Sequence, residues 1–170
     1  MLVNRFLSAK TKKWVKDNRI ERSTTSFKNS RTIGILFSVG DADKLEVIKK
    51  FIQDLETEGK EVKVLAYLPQ KKENQEFLYD FFTKKDINFW GNYRSNEVTK
   101  FTEHNFDYLF NIDFETNELI NGVLAQSKAK CRVGFYKANS DRYYELMVTV
   151  KEKSIEQLVE EMYKYTSMLN

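Results

Sequence analysis

The sequence predicts an α/β domain in three layers, with a mostly parallel sheet of five to six strands and an N-terminal basic amphipathic helix. Three observations carry this. Short apolar runs alternate with stretches of helical periodicity, Gly40, Gly59 and Pro69 fall between the first of them, and residues 1–31 differ in charge from the rest.

The first 17 residues, MLVNRFLSAKTKKWVKD, space Val3, Phe6, Leu7, Lys10, Trp14 and Lys16 as a helix with a narrow apolar side and a basic remainder. NRIERSTTSFKNSR lacks periodicity and reads as a loop into the body. From Thr32 the alternation begins: TIGILFS is a strand, Gly40 breaks it, and Asp41 or Asp43 can cap the helix that follows. Asp43 and Glu46 have capping-box spacing. Leu45, Ile48, Phe51, Ile52 and Leu55 form one face of that helix, and Gly59 stops it. EVKVLAYL is the second strand, closed by Pro69.

Phe77, Leu78, Phe81 and Phe82 predict a further helix, INFW (87–90) a short strand, and Val98 with Phe101 a weak helix. FDYLFNI is the fourth strand. Leu119, Ile120, Val123 and Leu124 mark a helix, CRVGF a fifth strand and YYELMVTV a sixth. The last helix opens at Ser154, with Gln157 at capping-box spacing and Ile155, Leu158, Val159 and Met162 facing inward. The alternation is that of a Rossmann-like fold. Residues 1–31 are expected to form the basic helix and loop, and 32–170 one domain that stays folded when residues 1–20 are removed.

Composition narrows the function classes. At 170 residues the chain can bury about two-thirds of its unfolded surface. One cysteine excludes an internal disulfide and suggests a cytoplasmic protein; Cys131 lies in an apolar strand and reads as an inert buried thiol. With a single histidine, His104, no zinc ligand set exists, and no metal or redox cofactor is expected. No apolar run reaches the roughly 20 residues of a membrane span. The net charge of +3 is segregated: residues 1–31 hold nine Lys/Arg and two Asp/Glu, a balance of +7, leaving the body at −4.

Phosphate-cradling loops are missing. The first strand-to-helix turn is SVGDAD, with one glycine where a dinucleotide fold wants G-x-G-x-x-G, and neither G-x-x-x-x-G-K-[ST] nor G-x-S-x-G occurs. What remains is carboxylates: Asp41 and Asp43 after the first strand, Asp113 and Glu115 after the fourth. In strand order 3-2-1-4-5 those strands are neighbours, and the crevice between them is where ligands bind in such sheets. The carboxylates serve there as a general base or cation site, or else as helix caps.

ILFSVGDADKLEVIKKF (35–51) resembles the first strand and helix of the heptosyltransferases of glycosyltransferase family 9, which carry an S-x-G-D turn at this place. FDYLFNIDFETNELINGVLAQSKAKCRVGF (106–135) is similar to a later strand–helix–strand of the same family. The resemblance implies that Asp41 is the base acting on an acceptor sugar hydroxyl, with Ser38 and Gly40 shaping the turn. That family holds its nucleotide sugar on a second Rossmann-like half that these residues do not contain. Phe37 or Leu36 stands where many relatives have a basic residue. The chain as a whole resembles a small bacterial domain-of-unknown-function family, a resemblance that brings no activity.

The expectation is therefore a non-catalytic or degenerate binding domain for a small polar ligand, a sugar or sugar phosphate, at Ser38, Gly40, Asp43, Asp113 and Glu115. Its rival is a glycosyltransferase-related enzyme working with a partner or as a homodimer, with Asp41 as base. A third reading is a peripheral adaptor on the inner face of the membrane, or on a protein partner, through residues 2–17. There Phe6, Leu7 and Trp14 would insert while Lys10, Lys12 and Lys13 meet anionic headgroups. Packing of this helix on the body is the plainer alternative, and nucleic acid ranks below these.

Overall fold

The computed structural model describes residues 2–69 and 77–169; the side chain of Val3 lies outside the described residues. Six strands form one parallel sheet: β1 (Thr32–Ser38), β2 (Glu61–Leu68), β3 (Asp80–Thr83), β4 (Tyr108–Asn111), β5 (Cys131–Phe135) and β6 (Leu146–Val148), in the order β3-β2-β1-β4-β5-β6. The helices are α1 (Leu2–Asp17), α2 (Ala42–Thr57), α3 (Asn96–Glu103), α4 (Glu118–Gln126) and α5 (Ile155–Ser167).

Both faces of the sheet are dry, which is why its strands read as near-continuous apolar runs. On one face Ile33, Ile35, Phe37 and Phe110 pack with Ile48, Phe51 and Leu55 of α2 and Leu158 and Met162 of α5. On the other, Leu36, Leu65, Tyr67 and Leu109 pack with Val98 and Phe101 of α3 and Ile120, Val123 and Leu124 of α4. This is a three-layer Rossmann-like fold. Leu36 pairs with Asn111, so the ends of β1 and β4 lie side by side at the point where the strand order reverses.

Caps fix the helix starts. Asp41 accepts from Lys44 N, Ser95 from Val98 N, Asn117 from Leu119 N and Ile120 N, and Ser154 from Gln157 N. The cap of α2 is thus Asp41, and the Asp43–Glu46 box does not form. Likewise Asn117, adjacent to the first turn of α4, takes the donors that Asp113 and Glu115 stand too early to reach.

Two elements differ from the sequence reading. Phe81 and Phe82 lie in β3, not in a helix: Phe82 is buried with the α3/α4 layer, while Phe81 packs toward the α2/α5 layer. When both faces of a strand are covered, adjacent apolar residues imitate a helical stripe. INFW is not a strand of the sheet. Ile87 makes one isolated bridge to Tyr93, and residues 88–91 turn back on themselves, with Asn88 Oδ1 accepting from Trp90 N and Asn92 N.

The arm before β1 wraps the N-terminal edge of the sheet. α1 packs on α4, burying Leu7 and Thr11. Asn18 Nδ2 then donates to the carbonyls of Ala125 (2.9 Å) and Ser127 (3.0 Å), and Ser23 N to that of Lys130 (3.1 Å). Phe27 reaches the opposite layer, edge-on to Tyr108 and Tyr163. Lys60 clamps this turn, its Nζ donating to the carbonyls of Phe27 (2.7 Å) and Ser30 (2.8 Å).

Candidate functional site at the ends of β1 and β4

Asp113 follows β4 and is buried at the switch point. Its carboxylate accepts from Ser38 N at 3.1 and 2.9 Å, from Ser38 Oγ at 3.2 Å, and from Lys44 Nζ at 2.6 Å. Beneath it, Asn111 is oriented so that Nδ2 donates to Asp113 Oδ2 (3.2 Å) and the Leu36 carbonyl (3.1 Å) while its oxygen accepts from Tyr144 Oη (2.9 Å). Burial pushes the Asp113 carboxyl above the ordinary carboxylate value, against the opposing pull of Lys44 and the Ser38 hydrogen bonds. Burial likewise pushes the Tyr144 hydroxyl up. The result is a continuous polar thread, Tyr144–Asn111–Asp113–Lys44, running from inside the fold to its surface.

Lys44 sits in the first turn of α2, where the helix dipole disfavours a cation. The pairing with Asp113 offsets that. Gly40 makes room for it, since a Cβ there would lie 3.1 Å from Lys44 Cδ. Gly40, Asp41, Asp43, Lys44, Lys153 and Ser154 line a cavity of about 500 Å³ between the N-termini of α2 and α5. Glu115 stands beside it, exposed, ion-paired with Lys137 and 3.9 Å from Lys153 Nζ. Those lysines hold its carboxyl below the usual range, chiefly through the Lys137 hydrogen bond.

The sequence-predicted turn residues thus share one end of the sheet. Gly40, Asp41 and Asp43 line the cavity, Ser38 anchors Asp113, and Asp113 lies under Lys44. Asp41 Oδ1 is committed to the Lys44 N–H at 2.9 Å as a helix cap. Sequence reasoning missed Lys44, Asn111, Tyr144 and Lys153. A cation in the first turn of a helix was the one local signal that pointed to Lys44.

The basic helix presents its predicted contacts unequally. Leu7 faces α4, and Trp14 is half-buried with its ring 6.0 Å from that of Tyr93. Lys10 Nζ donates to Asn92 Oδ1 at 2.8 Å. Phe6, Lys12 and Lys13 are exposed. Among the described residues no helix is long and apolar enough to cross a membrane, and no group of three or more His, Cys, Asp or Glu could hold a metal ion. Cys131 is buried, and its thiol is pushed up to about 12 by that burial.

Fold and site define a Rossmann-like parallel α/β domain whose switch point is closed by an internal ion pair instead of a glycine-rich phosphate loop. Over residues 4–169 the chain matches the family of unknown function DUF6913, and it belongs to that family. No curated protein matches the sequence.

Proposed function

We propose that this is a binding domain, not an enzyme, and that the cavity between the N-termini of α2 and α5 takes a small polyhydroxylated ligand such as a sugar or sugar phosphate. The observation that carries the reading is Lys44, which lines the cavity while its ammonium is held at 2.6 Å by the buried Asp113. A fixed donor is thereby set among carboxylates and a hydroxyl (Asp41, Asp43, Ser154), the mixture of acceptors and donors that orients hydroxyl groups.

The S-x-G-D turn Ser38–Asp41 resembles the acceptor half of family 9 glycosyltransferases, which supports a sugar-type ligand. Asp41 is spent on capping α2, which favours binding over base catalysis. The free thiol of Cys131 fits a cytoplasmic setting.

A thermal-shift screen of sugars, sugar phosphates and nucleotide sugars tests this, because a ligand that binds only the folded state raises Tm with concentration. At least one sugar-type compound is expected to raise Tm, and the rise is expected to vanish in Asp43→Asn and in Lys153→Met, both surface changes. A panel with no shift, or a shift indifferent to both substitutions, removes the proposal. Turnover of a nucleotide sugar, abolished by Asp41→Asn, would replace it with the enzyme reading.

A further inference from the structure

Phe89 and Trp90 are 53% and 62% exposed at the tip of the turn after β3, and both rings lean on Phe6 of α1. Centroids lie 5.6 Å apart for Phe6–Phe89, 5.9 Å for Phe6–Trp90 and 5.5 Å for Phe89–Trp90. Leaving such large apolar surface in water is unfavourable, and a contiguous exposed patch marks an interaction surface.

The display is built rather than incidental. Asn88 Oδ1 holds the turn from inside, and Gly91 takes φ 77°, open to few other residues. Gly91 is also pressed on the helix: a Cβ there would lie 2.8 Å from Leu7 N. The aromatics therefore ride on a turn locked to α1.

Cations surround this knob. Lys13 lies two helical turns beyond Phe6 on the same line, and exposed Arg5, Lys12 and Lys16 form the adjoining stripe of α1. Lys84, Lys85 and Arg94 are exposed on the flanks of the turn. Within α1 and residues 84–95 the acids are Asp86, whose carboxylate is occupied by Thr83 N and Oγ1, and Asp17 at the far end of α1; Glu97 lies beyond, its Oε2 accepting from Ser95 Oγ.

We infer that the Phe6–Phe89–Trp90 knob and the basic face of α1 form a docking surface for an anionic lipid membrane. Aromatic side chains settle at the headgroup level of a bilayer, and lysines and arginines beside them gain from the negative surface. Phe89 and Trp90 meet at 84° and Phe6 and Trp90 at 67°, so the rings close on one another edge to face. That geometry makes an apolar wedge, not the run of parallel platforms on which successive bases of a single strand stack.

The test uses the full chain with phosphatidylcholine vesicles, with and without phosphatidylserine, in co-sedimentation at low and high salt. Binding is expected only with phosphatidylserine and is expected to fade with salt. The double variant Phe89→Ser, Trp90→Ser and, separately, the double variant Lys12→Glu, Lys13→Glu should each weaken it at least about tenfold, with thermal melts matching the parent. No binding to anionic vesicles at low salt overturns the inference. So does binding that survives the aromatic variant, which would leave only diffuse charge attraction. Binding to a single-stranded oligonucleotide without vesicle binding overturns it in favour of nucleic acid.

Discussion

Lys44 Nζ lies 2.6 Å from Asp113 Oδ1, tying the first turn of the helix after β1 to the end of β4 across 69 residues of sequence. The pair is largely withdrawn from water, with 13% and 3% of the two side chains exposed. Breaking it from either side leaves a charge without its partner.

Lys44→Met is therefore expected to cost about 3–5 kcal/mol near neutral pH. Burial already places the Asp113 pKa above its unfolded value, and removing the cation that opposes this raises it further. A carboxyl that binds its proton more tightly when folded contributes stability below its unfolded pKa, and that contribution is lost as pH rises through the folded value. The variant's deficit should shrink from about pH 8 to about pH 5. Chemical denaturation at both pH values checks this; an equal deficit at both contradicts it.

Asp41 caps α2 with a single carboxylate oxygen and is otherwise exposed. Asp41→Ala should cost about 1 kcal/mol, whereas Asp41→Asn should be nearly neutral, since Asn is as good a cap. Loss of equal size in both would mean that the negative charge, not the cap, is what matters.

Adjacent residues on α1 should behave differently. Leu7→Ala removes a fully buried side chain and is expected to cost about 2–5 kcal/mol, while Phe6→Ala should stay within about 1 kcal/mol. Urea melts of the two variants report this directly, and similar values would mean that α1 does not pack on α4 in solution.

Gly91→Ala brings both a left-handed backbone penalty and a clash with the backbone of Leu7. A loss of about 1–3 kcal/mol in thermal unfolding is expected. A neutral outcome would show the turn free to leave the helix.

Cys131 should resist thiol reagents in the native protein at pH 8, because its thiol is buried and pushed up to about 12. Full reaction is expected once denaturant is added. Rapid native labelling would place the fifth strand closer to solvent than its burial indicates.

Much of this architecture is local and so was legible in the chain. β1, β2, β4, β5, α2, α4 and α5 follow from apolar periodicity, from breaks at Gly40 and Gly59 and from the helix cap at Ser154. The strand order brings the carboxylate-bearing turns to one end of the sheet, as the common order of such sheets implies. Where the reading slipped, periodicity was ambiguous. Phe81 and Phe82 serve two different layers from one strand, and Phe89 and Trp90 look like strand residues yet serve neither.

The sequence by itself determined the fold class, the buried faces of α2, α4 and α5, the basic arm and the turn that lines the cavity, because each depends on neighbours a few residues apart. Only the tertiary structure decided that Asp113 is neutralised by Lys44 and that Asn117, not Asp113, caps α4. It also decided that Leu7 turns inward while Phe6 joins Phe89 and Trp90 outside. Periodicity tells which side of an element is apolar, but the partner of a charge is set by sheet register, and the partner of an apolar face by which helix packs on which layer.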